Sequence, residues 1–284
     1  MATSVSFSLT LSSSSSSSGP HHRSSRIPTL TQKKFPLLRL QNPSRLSFKS
    51  SSSSSSSSAT YTGLEETFKT GRPLTDVELR GLKTLQDFSF RRELGGGSMW
   101  VRVMRQDEMD AIVELVSESF TEWRWLSSNP RFVKLWKFFL KEYLVQRRKL
   151  LPHSIVLVAY YKGEEEGAKE ELAGKLEVYL NKIAFLASAP SPTPPQDCPY
   201  ICNIFVKESL RWKGIGLNLL KASEELISQM SRAREVYLHC PMIDSAPLSM
   251  FTKAGYEAVK TDSILVLLLL QKRKYLMRKI LVGR

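Results

Sequence analysis

Arg211-Trp212-Lys213-Gly214-Ile215-Gly216 joins an apolar strand, Tyr200–Val206, to a helix with one apolar face. A strand that enters a helix through two closely spaced glycines places successive backbone N–H groups and the open first turn of the helix at one point. That arrangement binds anions without any acid–base side chain. Glycines let the main chain approach the ligand, and Arg211 and Lys213 add positive charge. The chemistry implied is the holding of a phosphate group. A dinucleotide fingerprint fits poorly, since its third glycine is replaced by Leu219 and no acidic ribose partner stands at the expected offset. A nucleotide P-loop is excluded by the missing Gly-Lys-Ser/Thr.

The elements that must position this turn follow from hydrophobic periodicity. Strands are expected at Trp100–Met104, Ser154–Tyr161, Leu172–Leu180 and Tyr200–Val206 before the turn. Asp107–Phe120 and a segment starting at Asn129-Pro130 carry apolar residues at helical spacing. After the turn come helix Gly216–Ser231, strand Glu235–Cys240, a helix near Ala246–Ala254, and strands Tyr256–Lys260 and Ser263–Lys272. The order β-α-α-β-β-β-turn-α-β-α-β-β contains one strand–helix–strand crossover, which makes a parallel pair, while hairpins elsewhere make antiparallel ones. The expected fold is therefore α/β (α+β), one domain with a mixed, mostly antiparallel sheet and helices on both faces. Residues 181–199, with five prolines, are expected to form an exposed connection. In front of the domain, Thr75-Asp76-Val77-Glu78 fits a capping box and predicts a short helix over Asp76–Phe88, followed by a flexible Gly95-Gly96-Gly97.

The two ends of the chain differ in kind. Residues 1–60 hold 23 serines and seven Lys or Arg, and the first acidic residue is Glu65. An acid-free, serine-rich leader whose first Arg waits until position 23 has the composition of a plastid transit peptide; a generic disordered tail is the alternative. The organisation expected is 1–60 transit peptide, 61–98 polar lead-in and 99–284 compact domain. The leader takes seven of the net +14 charges and leaves +7 on residues 61–284, 34 Lys or Arg against 27 Asp or Glu. That suits an anionic ligand and acidic protein surfaces, and falls short of a nucleic-acid-binding stripe. No segment approaches the ~20 apolar residues that span a bilayer; Ile264–Leu270 is the longest run, and it reads as a buried strand. Cys198, Cys202 and Cys240 lack a metal-ligand pattern, and no metal is expected. On an extended strand Cys198 and Cys202 stand roughly 13 Å apart, too far for a disulfide, so all three are expected to be free thiols in the core.

The R-x-x-G-x-G turn, Ile204-Phe205-Val206 before it, the Tyr237-Leu238-His239 strand and the Lys253-Ala254-Gly255-Tyr256 ending together resemble the GCN5-related N-acetyltransferases. The resemblance covers Met99–Lys272 and, with the leader, looks most like the plant plastid members, which acetylate protein N-termini and lysine side chains. It implies acetyl-CoA as co-substrate and direct attack of the amine in a ternary complex. It further implies that the strand before the turn splays from the next parallel strand, so that backbone groups of Ile204, Phe205 and Val206 hold the pantetheine arm and the thioester carbonyl. Arg211, Trp212, Lys213, Gly214, Ile215, Gly216 and Leu217 would hold the pyrophosphate.

Only a neutral amine attacks, and a lysine ammonium has a pKa near 10.4 and an α-amine near 7.7–8.0. By resemblance, Tyr200 and His239 match a pair that orders a water in some N-terminal acetyltransferases. His239 is then a general base acting through that water, or else a satisfied core residue. Glu177, between Leu176 and Val178, is a third candidate base, or more simply a solvent-facing strand charge. Two positions depart from the family. Where a Tyr often protonates the leaving thiolate there is Phe251, and a coenzyme-contacting Asn is replaced by Asp244. These departures imply a slower enzyme, one whose turnover Phe251→Tyr would raise. Trp123 and Trp125, between the first two helices of the domain, either wall an acceptor path or serve packing. Cys202 and Cys240 show no nucleophile–base partnership, which argues against a covalent acetyl-cysteine route. The competing expectations are an arylalkylamine (serotonin-type) acetyltransferase and a catalytically weak acetyl-CoA-binding protein, because a scaffold does not set its acceptor.

Overall fold

Thr75 opens the first helix with a reciprocal cap: its side chain accepts from the Glu78 amide, and the Glu78 carboxylate accepts from the Thr75 amide. The computed structural model describes residues 74–118, 129–181, 184, 190–269 and 272–281. Within them the elements are α1 (Asp76–Asp87), β1 (Ser89–Leu94), β2 (Gly97–Val103), α2 (Met109–Glu118), α3 (Pro130–Lys149), β3 (Ser154–Gly163), β4 (Glu171–Tyr179), β5 (Tyr200–Val206), α4 (Ile215–Met230), β6 (Glu235–Pro241), α5 (Ser245–Lys253), β7 (Glu257–Thr261) and β8 (Lys274–Ile280).

The eight strands form one sheet in the order β1-β2-β3-β4-β5-β6-β8-β7. Every neighbouring pair is antiparallel except β5 and β6. On β3, Ile155, Leu157 and Ala159 join the core cluster that contains Leu219, Leu220 and Leu226 of α4. The intervening Val156 and Val158 are equally buried but lie outside that cluster, on the other face. A strand buried on both faces must be covered by helices on both, as expected from the sequence.

Three expectations need correction. The Gly95–Gly97 segment is a hairpin turn, not a flexible tether. Ser89–Leu94 pairs with Gly97–Arg102 along its whole length, so the sheet begins ahead of Met99. Gly97 is required there, because a Cβ on it would enter the van der Waals space of the Lys162 carbonyl and the Tyr161 ring. The apolar run Ile264–Leu269 is a 3-10 helix, and the last strand is Lys274–Ile280, which pairs with β6 on one side and β7 on the other. Finally, part of the proline-rich connection packs against the sheet. Ser191 donates to Asp262, and the Pro192 carbonyl contacts His239.

Candidate functional site

β5 and β6 pair only at Tyr200↔Tyr237 and Ile201↔Leu238, and then part. β6 continues against β8 through Pro241, while β5 continues against β4 through Val206. The edge of β5 that faces β6 beyond Ile201 therefore has no ladder partner on that side among the described residues. An unpaired strand edge is a template for another chain bearing amides. The parting coincides with a bulge. Between Lys175↔Phe205 and Glu177↔Cys202, the single residue Leu176 stands against both Asn203 and Ile204. Asn203 takes up the extra length in the left-handed region, with φ 51°, a conformation that Asn tolerates better than most residues.

α4 begins where β5 ends. Gly214 is its N-cap with φ 83° and ψ 0°, and no side chain among the described residues caps the helix. The first-turn amides are thus open to an external acceptor. Trp212, Lys213 and Gly214 are exposed, and Trp212 is itself left-handed at φ 69°. The Arg211 guanidinium is partly engaged with the Val206 carbonyl (3.3 Å), while the Lys213 ammonium lies 5.1 Å from the centre of the Tyr161 ring. The two glycines have different tasks. Gly214 supplies the positive φ. Gly216 permits close approach, since a Cβ there would stand 3.1 Å from Met250 Sδ and 3.6 Å from Val206 Cγ2. Strand end, helix start and α5 meet at that point.

Tyr200 and His239 are brought together as the sequence implied. The Tyr200 hydroxyl lies 2.8 Å from His239 Nδ1, and Nε2 lies 2.8 Å from the Pro192 carbonyl. A carbonyl only accepts, so Nε2 carries the proton, and neutral His239 receives the Tyr200 O–H at Nδ1. Burial pushes the His239 pKa down to about 4, with the Pro192 bond acting in the opposite sense. Burial also lifts Tyr200 well above the usual phenol value. The ring is neutral at physiological pH, and its free lone pair is directed at Tyr200.

Glu177 is not a solvent-facing charge. It is fully buried and accepts from Tyr143 (2.6 Å), Tyr179 (3.2 Å) and Lys175. Burial alone would raise its pKa, but Lys175 and the Arg147 guanidinium 3.9 Å away outweigh it and hold the carboxyl below its ordinary range. Asn203 Nδ2 donates to the Tyr143 hydroxyl at 3.0 Å. Tyr143, Asn203 and Lys175 were not anticipated as site residues. The visible signal was Asn203 itself, a poor strand former inside Ile-Cys-Asn-Ile-Phe. The three cysteines are free; burial lifts the Cys240 thiol to about 12 and raises Cys202 as well. Glu122-Trp123-Arg124-Trp125 lies outside the described residues.

Residues 110–256 match the acetyltransferase (GNAT) family. A curated relative from Arabidopsis thaliana, "GCN5-related N-acetyltransferase 5, chloroplastic", is 52% identical over 248 residues, 84% of this chain and 76% of the relative. The chain belongs to the GNAT family of acetyltransferases. The plastid address expected from the leader agrees with the relative's name. Among solved structures, a RimL ribosomal L7/L12 α-N-protein acetyltransferase in complex with coenzyme A superposes with TM-score 0.46 at 13% identity, covering 64% of this chain and 94% of that one. Arabidopsis thaliana NAA60 with a bisubstrate analogue gives TM-score 0.44 at 16% identity, covering 65% and 99%.

In this acetyltransferase, Asp244 stands at the N-cap of α5 without capping it by its side chain, and its Oδ2 is buried without a hydrogen-bond partner among the described residues. Phe251 is 5% exposed and packs 6.1 Å from Tyr256 within the main core cluster.

Proposed function

We propose that the chain is a chloroplast acetyl-CoA-dependent protein N-acetyltransferase, acting on protein N-terminal α-amines and lysine ε-amines by direct transfer. The observation that carries this reading is the parting of β5 from β6 beside the uncapped start of α4. Acetyl-CoA has a diphosphate at one end and an amide-bearing pantetheine arm at the other. The Arg211–Leu217 cradle suits the first, and the unpaired edge of Ile204, Phe205 and Val206 suits the second. The co-substrate supplies an activated acetyl thioester. The protein supplies orientation and fixed main-chain dipoles where charge develops.

Tyr200 stands in the paired part of β5, one residue before its last pair with β6, and His239 is the first β6 residue after that pair. With its own proton committed to Nδ1, the phenol oxygen of Tyr200 is an acceptor for a proton leaving the amine side. On this reading Tyr200 passes that proton toward His239, directly or through a water. A buried neutral His is a weak base, so the pair serves amines that are already partly neutral near pH 8, which favours α-amines over lysines.

Calorimetry of residues 61–284 with acetyl-CoA, followed by coenzyme-release assays with a peptide mixture and with serotonin, tests the reading. Binding with release on peptides supports it. Release on serotonin alone moves the assignment to small arylalkylamines. Binding without release for any amine leaves a coenzyme-binding protein, and absence of binding removes the proposal.

A further inference from the structure

We propose that Tyr143 and Glu177 are positioning residues that hold the β5 bulge, and through it the backbone edge that receives the thioester. The inference rests on the reading that acetyl-CoA occupies the parting of β5 and β6. A carboxylate only accepts, so the Tyr143 hydroxyl must donate to Glu177, 2.6 Å away. That fixes the direction of the hydroxyl and turns its lone pairs to the Asn203 amide at 3.0 Å and the Tyr179 hydroxyl at 3.1 Å. The chain Asn203→Tyr143→Glu177 therefore has one polarity, anchored on a carboxylate that is 0% exposed and ion-paired with Lys175.

The residue at its outer end is the one that breaks the register. Asn203 sits at φ 51°, two residues beyond the last β5–β6 pair and immediately ahead of Ile204. A left-handed residue inside a strand reverts to extended backbone unless something holds it. Reversion here would shift every group from Ile204 onward by one position and turn the edge the other way. Tyr143 comes from α3, so the bulge is tied to the helix covering the face of the sheet opposite α4. Burial and the neighbouring Glu177 both raise the Tyr143 pKa, which keeps the donor protonated.

The test is a kinetic and binding comparison on the full chain. Tyr143→Phe removes the hydroxyl with its contacts to Glu177, Asn203 and Tyr179 and keeps the ring. It is expected to lower kcat about tenfold, with the KM for acetyl-CoA and the calorimetric affinity for free coenzyme A changed less than about threefold. Asn203→Ala is expected to fall similarly, whereas Asn203→Gly, which needs no anchor for positive φ, should recover most of the rate. In the Asn203→Gly background, Tyr143→Phe should add less than about a twofold loss, a non-additivity that a general packing defect does not produce. Unchanged kcat in Tyr143→Phe, equal loss in Ala and Gly at 203, or full additivity each overturns the proposal. If Tyr143→Phe fails to fold, the Ala and Gly variants at 203 decide alone. Wild-type protein that takes up no coenzyme A refutes the underlying reading instead, and is distinguished by the calorimetry on the unaltered chain.

Discussion

The phenol oxygen of Tyr200 lies 2.8 Å from Nδ1 of His239, and the opposite nitrogen of that ring is fastened to the Pro192 carbonyl. This geometry fixes the tautomer, and it commits the only lone pair of the imidazole to one phenol. His239 can then accept a proton only by way of what reaches Tyr200.

Tyr200→Phe should therefore cost about 100-fold in kcat at neutral pH with little change in the KM for acetyl-CoA. The deficit should shrink as pH rises past about 8, because an α-amine acceptor then sheds its own proton. A pH series of initial rates with one peptide substrate checks both parts. A loss that stays constant to pH 9.5 would mean that Tyr200 only shapes the groove.

His239 also makes stability depend on pH. Its folded pKa of about 4 lies below the ordinary 6.5, so between those values the unfolded chain binds more protons than the native one. Its stabilising contribution is then full above about 6.5 and is lost as pH falls toward 4, with a slope of at most about 1.4 kcal/mol per pH unit. Denaturant melts of wild type and His239→Gln at pH 7, 6 and 5 should show the difference between the two proteins moving in favour of the variant as pH falls.

Much of the fold and of the candidate site was legible where it is local. The turn Arg211–Gly216, the Thr75 capping box and the Asn129 cap with Pro130 at the helix start are set by neighbouring residues, and each lies where the sequence placed it. The parts that were missed depend on distant partners. Ser89–Leu94 has the burial pattern of an edge strand, exposed at Arg91, Arg92 and Glu93, so its alternation is nearly hidden. Lys274–Ile280 carries Lys274, Arg278 and Lys279 among its apolar residues, yet Leu276 and Met277 are buried in a strand between β6 and β7. Glu177 looked like a surface charge because the groups that neutralise it come from α3 and from its own strand. Burial of a charge cannot be seen in a sequence until the partner's position is known.

Gly214 and Gly216 should separate in their variants. Gly214→Ala forces a Cβ into the left-handed region and is expected to cost about 1–2 kcal/mol and to weaken acetyl-CoA binding, since the same conformation aims the first-turn amides. Gly216→Ala meets Met250 Sδ at 3.1 Å, the movable end of a thioether, so its cost should stay below about 1 kcal/mol. Paired denaturant melts and calorimetric titrations measure both quantities. Equal effects of the two substitutions would contradict this division of labour.

Lys175 and Glu177 give the last prediction. Both are buried, with Lys175 2% exposed, and Lys175 is the main partner of the Glu177 charge, ahead of Arg147. Lys175→Met should destabilise by about 3–5 kcal/mol, since Arg147 at 3.9 Å is a weaker substitute. The sign of the pH dependence should also invert. In the wild type the Glu177 pKa is lowered, so its contribution is present above the ordinary carboxylate value and is lost as pH falls. Without Lys175, burial dominates and raises that pKa above the unfolded value. The penalty is then full at pH 7 and is relieved on acidification as Glu177 takes up a proton. Adding Glu177→Gln should recover most of the loss at pH 7, because the buried charge is gone and the amide oxygen still accepts from Tyr143. Urea melts of the single and double variants at pH 7 and 5 measure this. A single variant that is as stable as the double at pH 7 would show that Arg147 and the two tyrosines suffice to hold the carboxylate.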